Sequence, residues 1–262
     1  MLRVRCLTAE QAKGLKRNNI TVCATTADLY KQVADHIAAL ARRAIRDHAA
    51  FHIALAGGST PRHLYTTLAG EPYARDIDWS SVHVYFGDER HVPPDHEDSN
   101  FSMASQAMLQ HVPIPAGQIH RMRGELDEAD EIARQYALEI ESSLPRDEQN
   151  RPVLDLALLG LGPDGHIASL FPQTDILDNR EQSVAAVYVD RLSTWRISMT
   201  YPTLENARAI YMLVAGHNKA DILREIFHGH GGAPYPVERL RPTGKLCWFL
   251  DNAASDDIEH DA

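Results

Sequence analysis

Asp164 and His166 stand two residues apart in the segment Leu159-Gly160-Leu161-Gly162-Pro163-Asp164-Gly165-His166-Ile167-Ala168-Ser169-Leu170-Phe171-Pro172. Imidazole is the side chain whose ordinary pKa, about 6.5, lies nearest neutrality. His166 therefore suits a general base that activates water, with Asp164 placed to orient or polarise it. A turn histidine bonded to a backbone carbonyl is the plainer reading of the same residue. Gly160, Gly162 and Gly165 also spell G-x-G-x-x-G, but Pro163 and Pro172 break the long helix that a dinucleotide turn must open. Asp178 is too near, and Asp190 too loosely placed, to be the ribose acid of such a fold.

Two further segments carry polar chemistry. Gly57-Gly58-Ser59-Thr60-Pro61 combines glycines that let the backbone approach a ligand with two hydroxyls and the free amides of a helix start. It reads either as an anion site or as a tight strand-to-helix turn capped by Ser59 or Thr60. Phe86-Gly87-Asp88-Glu89-Arg90-His91 puts two carboxylates and a guanidinium together, either as a solvated ion pair or as an oxyanion clamp led by Arg90. Arg196 and Lys219 are lone cations. Lys219 stands near an expected helix N-terminus, where a positive charge opposes the dipole and hints at a bound anion. The pairs His91/His96 and His228/His230 lack metal-ligand spacing, so no metal is expected.

These segments need elements to hold them. Leu29, Val33, Ile37, Leu40 and Ala44 recur at helical spacing over 27–46, and helices are also expected from Pro61 to Gly70, over 99–110, 125–143 and 218–227. Short apolar runs at 51–56, 82–86, 154–159, 184–189, 196–200, 209–214 and 246–250 read as strands. Strands alternating with helices predict one α/β domain over 21–252, with a Rossmann-like, doubly wound, mostly parallel sheet covered by helices on both faces. Its ligand site belongs beyond the carboxyl ends of the strands, where all three polar segments fall. Residues 1–20, basic through Arg3, Arg5, Lys13, Lys16 and Arg17, are expected to be an extension, and 253–262 an acidic tail.

The whole chain bounds the partner. Its 262 residues are 44% hydrophobic and 24% charged, ordinary values for a globular domain. No apolar run reaches the roughly 18–20 residues of a membrane span. A net charge of −10 argues against nucleic acid or an anionic membrane as partner. It leaves room for a small anion held by a few placed cations. Cys6, Cys23 and Cys247 form neither a CxxC pair nor a disulfide framework, which suits a reducing, cytoplasmic compartment. A monomer or small homo-oligomer is expected.

Taken with Ala54-Leu55-Ala56 before the glycines, Asp98-Ser99-Asn100, Arg196-Ile197-Ser198-Met199-Thr200-Tyr201-Pro202, Gly216-His217-Asn218-Lys219-Ala220 and Trp248-Phe249-Leu250-Asp251, these motifs resemble the 6-phosphogluconolactonase family from about residue 20 to about 254. The resemblance implies hydrolysis of the phosphosugar lactone of the oxidative pentose phosphate pathway, on a fold shared with sugar-phosphate isomerases and deaminases, without cofactor or metal. It implies that His166 activates water with support from Asp164. It also implies that Arg90, Arg196 and Lys219 hold the phosphate near Gly57, Gly58, Ser59 and Thr60. Asp88 lies in the matching motif, as a catalytic group or as an orienter of Arg90. Hexosamine-phosphate deaminases share the turn and Asp-Gly-His but typically have Asn-Glu-Pro where this chain has Ser169-Leu170-Phe171-Pro172, and Asp-Glu-Tyr where it has Asp88-Glu89-Arg90. A sugar-phosphate-binding regulator without turnover is the third reading; intact Asp164 and His166 argue against it.

Overall fold

A computed structural model describes residues 19–256. Its strands are β1 (Ile20–Cys23), β2 (Phe51–Leu55), β3 (Val82–Phe86), β4 (Asp88–Arg90), β5 (Leu156–Leu159), β6 (Val184–Val189), β7 (Thr194–Met199), β8 (Ala209–Val214) and β9 (Lys245–Asp251). The α-helices are α1 (Thr26–His48), α2 (Ser59–Leu68), α3 (Tyr73–Asp76), α4 (Asn100–Ala104), α5 (Ala129–Ser143), α6 (Tyr201–Glu205), α7 (Ala220–His228) and α8 (Asn252–Ser255).

Six strands form a parallel sheet in the order β1-β9-β8-β5-β2-β3. Its strands read as unbroken apolar runs because both faces are covered, yet side chains still alternate between faces. Phe51, Ile53, Leu55, Leu156 and Leu158 join one core with Leu29, Val33 and Ile37 of α1 and Leu64 and Leu68 of α2. Ala54, Ala157, Leu159, Met212 and Trp248 join the other, with Ile132, Tyr136 and Ile140 of α5 and Leu223 and Phe227 of α7. Thr25 caps α1 by accepting from Asp28 N at 3.1 Å, and Ala49 ends it in the left-handed region.

From β2 the chain runs outward to β3, then returns to place β5 on the opposite side of β2. The loops after β2 and β5 consequently leave a topological switch point, the crevice where ligands settle in open α/β sheets. This is the doubly wound α/β architecture expected from the alternation of elements.

Several expectations are corrected. The 184–189 and 196–200 segments do not extend the parallel sheet. They are β6 and β7 of a separate antiparallel sheet, order β4-β7-β6, in which Asp88–Arg90 forms an unexpected short strand. An apolar run does not specify its partner or direction, so these strands looked like all the others. Four-residue β1 was also unforeseen, and the 154–159 strand begins at Leu156. Neither Ser59 nor Thr60 caps α2, whose cap is Gly58 at φ +102°. The 99–110 helix is α4 followed by a π-helical turn, Ser105–Leu109. Residues 253–255, assigned to an acidic tail, belong to α8, where Asp251 accepts from Ala254 N at 3.0 Å. The basic extension, apart from Asn19 and Ile20, lies outside the described residues, as does the tail beyond Asp256. No described helix is long and apolar enough to cross a membrane.

Candidate active site

The loops after β2, β5 and β8 and the antiparallel sheet enclose a cavity of about 490 Å³. Gly57, Gly58, Asp88, Arg90, His166, Arg196 and Lys219 all line it. Residues drawn from five separate stretches of chain thus meet in one place. Ser59 and Thr60 stand outside the lining, in the first turn of α2. The helix opens with the backbone amides of Ser59 and Thr60, since Pro61 has no N–H and Arg62 N already donates to Gly58 O at 3.2 Å.

His166 is held in a tight turn. Gly162 N donates to His166 O at 2.8 Å and Gly165 N to Gly162 O at 3.1 Å. The imidazole lies so close over Gly162 that a Cβ there would stand 1.9 Å from His166 Nδ1. Gly165 has φ +71°, and a Cβ on it would meet Tyr235 at 2.5 Å. The ring packs on Phe171 with centroids 4.3 Å apart.

Asp164 stands behind the ring, outside the lining. An ionised carboxylate only accepts, so His166 Nδ1–H donates to Asp164 Oδ1, at 2.5 Å, and Nε2 is the ring nitrogen left without that bond, the one that carries the lone pair whenever the ring is neutral. Burial alone raises the Asp164 carboxyl, but the hydrogen bond and charge of His166, with Arg191, outweigh it and lower its pKa to about 2. The carboxylate is therefore charged throughout the physiological range.

Asp88 lines the cavity and clasps two segments together: Ser169 Oγ donates to its Oδ2 at 2.6 Å and Asn100 Nδ2 to its Oδ1 at 3.3 Å. Glu89, 2% exposed, closes the start of α4 by accepting from Asn100 N at 2.7 Å and Phe101 N at 2.8 Å. Burial raises its pKa against those backbone donors. Both acids of the Asp-Glu-Arg segment are engaged by neighbouring donors, while Arg90 Nη1 donates to Asp98 O at 2.5 Å.

Arg90 pairs in register with Arg196 across β4 and β7. Arg90 Nε is buried without a hydrogen-bond partner, and burial followed by the charge of Arg90 lowers the Arg196 pKa. Lys219 Nζ donates to Leu161 O at 2.8 Å; burial lowers its pKa while Asp164 opposes the shift. Asp251 anchors the loop that carries Lys219, accepting from Gly216 N at 3.0 Å. Three cationic side chains, Arg90, Arg196 and Lys219, thus line one cavity.

Arg191 and Leu192 also line the cavity, and Arg191 Nη2 lies 2.6 Å from Asp164 Oδ2. Neither residue was foreseen, because nothing local in the segment between the 184–189 and 196–200 runs marks Arg191 or Leu192 as facing a cavity on another sheet. Asn100, Ser169 and Phe171 lay within the singled-out motifs, but nothing local revealed what they touch. Among the described residues, no group of three or more metal-capable side chains converges.

The family model for glucosamine-6-phosphate isomerases/6-phosphogluconolactonase matches residues 24–248. The 6-phosphogluconolactonase of Haemophilus influenzae is 40% identical over 78% of this chain and 85% of its own. That of Nostoc is 38% identical over 82% of this chain and 88% of its own. The structure of 6-phosphogluconolactonase from Trypanosoma cruzi superposes with a TM-score of 0.83 at 26% identity, covering 95% of this chain and 100% of that one. With the fold, the cavity and these likenesses in agreement, the chain belongs to the glucosamine-6-phosphate isomerase/6-phosphogluconolactonase family.

Proposed function

We propose that this protein is a cytoplasmic 6-phosphogluconolactonase, hydrolysing 6-phospho-D-glucono-1,5-lactone to 6-phospho-D-gluconate in the oxidative pentose phosphate pathway. The observation that carries the reading is one imidazole, fixed through Nδ1 on an ionised carboxylate, in the same cavity as Arg90, Arg196 and Lys219. Relatives on the lactonase side of the family cover most of the chain at up to 40% identity.

The chemistry follows from that geometry. His166 Nε2 takes a proton from water as the water oxygen bonds to the lactone carbonyl carbon. The carbonyl π electrons move to oxygen, giving a tetrahedral oxyanion. Preorganised donors stabilise such an anion most. The amides of Gly162 and Gly165 are engaged within the turn, so other groups around the cavity supply them. Collapse of the oxyanion breaks the bond to the ring oxygen, which receives the proton from His166 Nε2–H⁺. Asp164, charged throughout, steadies the imidazolium between the two transfers.

The phosphate, carrying about −1.5 to −2 charges at neutral pH, is the handle. Arg90, Arg196, Lys219 and the backbone at Gly57 and Gly58 grip it away from the reacting carbon, so binding energy from a remote group orients the ester. Cys23 and Cys247 are free thiols, in keeping with a reducing compartment.

The test is lactone hydrolysis with spontaneous opening subtracted. His166→Asn is expected to lose about 10²–10⁴-fold in kcat, the usual worth of a general base, while remaining folded. A folded variant with undiminished turnover would remove His166 from this role. Ammonia release from a hexosamine phosphate, in place of acid release from the lactone, would move the chain to the deaminase branch.

A further inference from the structure

Arg191 sits at the tip of the β6–β7 hairpin, in the 3-10 turn Asp190–Leu192, just before Ser193 at φ +48°. Its side chain is 51% exposed, yet Nη2 approaches Asp164 Oδ2 to 2.6 Å. The other carboxylate oxygen receives His166 Nδ1–H. Asp164 is thereby gripped from both sides. Phe171 is a shared platform, with the Arg191 guanidinium 5.0 Å from its ring centroid and the His166 ring against it as well. The hairpin belongs to the antiparallel sheet, whereas Asp164 and His166 follow a strand of the parallel one. One guanidinium joins the two sheets at the carboxylate that holds the imidazole.

We propose that Arg191 is a positioning residue for lactone hydrolysis: it locks the Asp164 carboxylate so that His166 keeps the tautomer and orientation needed to take a proton at Nε2. This rests on the reading of His166 as the base. A carboxylate held by one partner alone rotates about its Cβ–Cγ bond and exchanges with water. Held by two, its acceptor lone pair stays aimed at Nδ1. At metal centres, the groups that orient a ligating histidine in this indirect way commonly change affinity or activity about 10–100-fold.

The charge matters as well as the geometry. The groups facing Asp164 are His166 on its own loop, Arg191 from the hairpin and Lys219 from the loop after β8. Tyr235, packed against Gly165, senses the Asp164 charge, but its hydroxyl donates a hydrogen bond to Glu225. Arg191 is the guanidinium in contact with the carboxylate. Its removal makes the carboxylate a stronger partner for a protonated imidazole.

The experiment measures kcat and KM from about pH 5 to about pH 9, with the uncatalysed rate subtracted, for the native protein, Arg191→Ala, Arg191→Lys and His166→Asn. Arg191→Ala is expected to lower kcat about tenfold with KM within about twofold, and to move the acidic limb of kcat to higher pH. Arg191→Lys, keeping the charge without the planar guanidinium on Phe171, recovers part of kcat and holds the limb near its native position. In the His166→Asn background, Arg191→Ala should cost nothing further, the non-additivity of residues that act as one unit. A folded Arg191→Ala protein with native kcat and an unmoved limb overturns the proposal. A raised KM at constant kcat also does so, by making Arg191 a substrate contact. Retained turnover in His166→Asn would instead defeat the base assignment, a distinct result. Arg191 is exposed at a hairpin tip, and a thermal melt checks that its variants fold.

Discussion

Arg90 and Arg196 stand opposite one another in the antiparallel β4–β7 ladder and line the same cavity wall. Like charges in directly opposed positions destabilise a sheet by roughly 0.2–1 kcal/mol. The arrangement makes sense when an anion neutralises both.

Removing one of them should therefore have opposite effects on stability and activity. Arg196→Met is expected to leave the unliganded protein as stable as the native one or slightly more so. It should raise KM for the phosphorylated lactone about 10–100-fold, the worth of one or two charge-assisted hydrogen bonds. Thermal melts with and without inorganic phosphate, beside steady-state kinetics, check both signs. A similar KM increase on an unphosphorylated lactone would contradict a phosphate contact.

Gly162 tests the placement of the base without altering any ionisable group. A methyl there would overlap His166 Nδ1 at 1.9 Å, and the imidazole must move. Gly162→Ala is expected to lower kcat by about 10²-fold, the usual result of displacing a catalytic group by about 1 Å, with KM little changed. Stopped assays on a protein whose melting temperature is retained provide the check.

Ser169 donates to the buried Asp88 carboxylate at 2.6 Å. Ser169→Ala leaves that oxygen without its hydroxyl donor, at a cost of about 1–3 kcal/mol. Each kcal/mol corresponds to a fall in Tm of about 2–4 °C for a chain of this size. Calorimetry should show this loss, and Ser169→Thr should restore part of it.

Acid should weaken the fold through a stack of histidines outside the cavity lining. His52 and His83 stack at 4.8 Å, and His83 and His120 at 5.4 Å, with His83 Nδ1 and His120 Nε2 3.1 Å apart. Burial, then the neighbouring His83, His48 and His120, lower the His52 pKa to about 3. Burial and His120 lower that of His83. Between the unfolded value near 6.5 and these depressed values, the unfolded chain binds protons that the folded chain refuses. Their contribution is thus fully present above about pH 6.5 and is lost as pH falls toward about 3. The slope from His52 reaches at most about 1.4 kcal/mol per pH unit. Urea denaturation at several pH values should show the decline, and His52→Phe should flatten it.

Much of this molecule was legible in its residues alone. Apolar periodicity located α1, α5 and seven strands, β2, β3 and β5 to β9, because an amphipathic face and a buried run announce themselves locally. The glycine-rich turns at Gly57-Gly58 and Gly160–Gly165 marked strand ends for a similarly local reason, the backbone freedom a sharp turn needs. His166 beside Asp164 was visible because the pair is separated by one residue.

What tertiary structure alone decided was partnership. Ser169 and Asp88 are 81 residues apart, and no local pattern encodes which distant donor a carboxylate will meet. The same holds for Arg191 on Asp164, for Arg196 opposite Arg90, and for β6 and β7 leaving the parallel sheet. Propensity and periodicity act over a turn or a strand. The pairing of surfaces depends on how whole layers pack, and that packing brought the Arg191 of a hairpin tip into the cavity lining beside residues of the parallel sheet's loops.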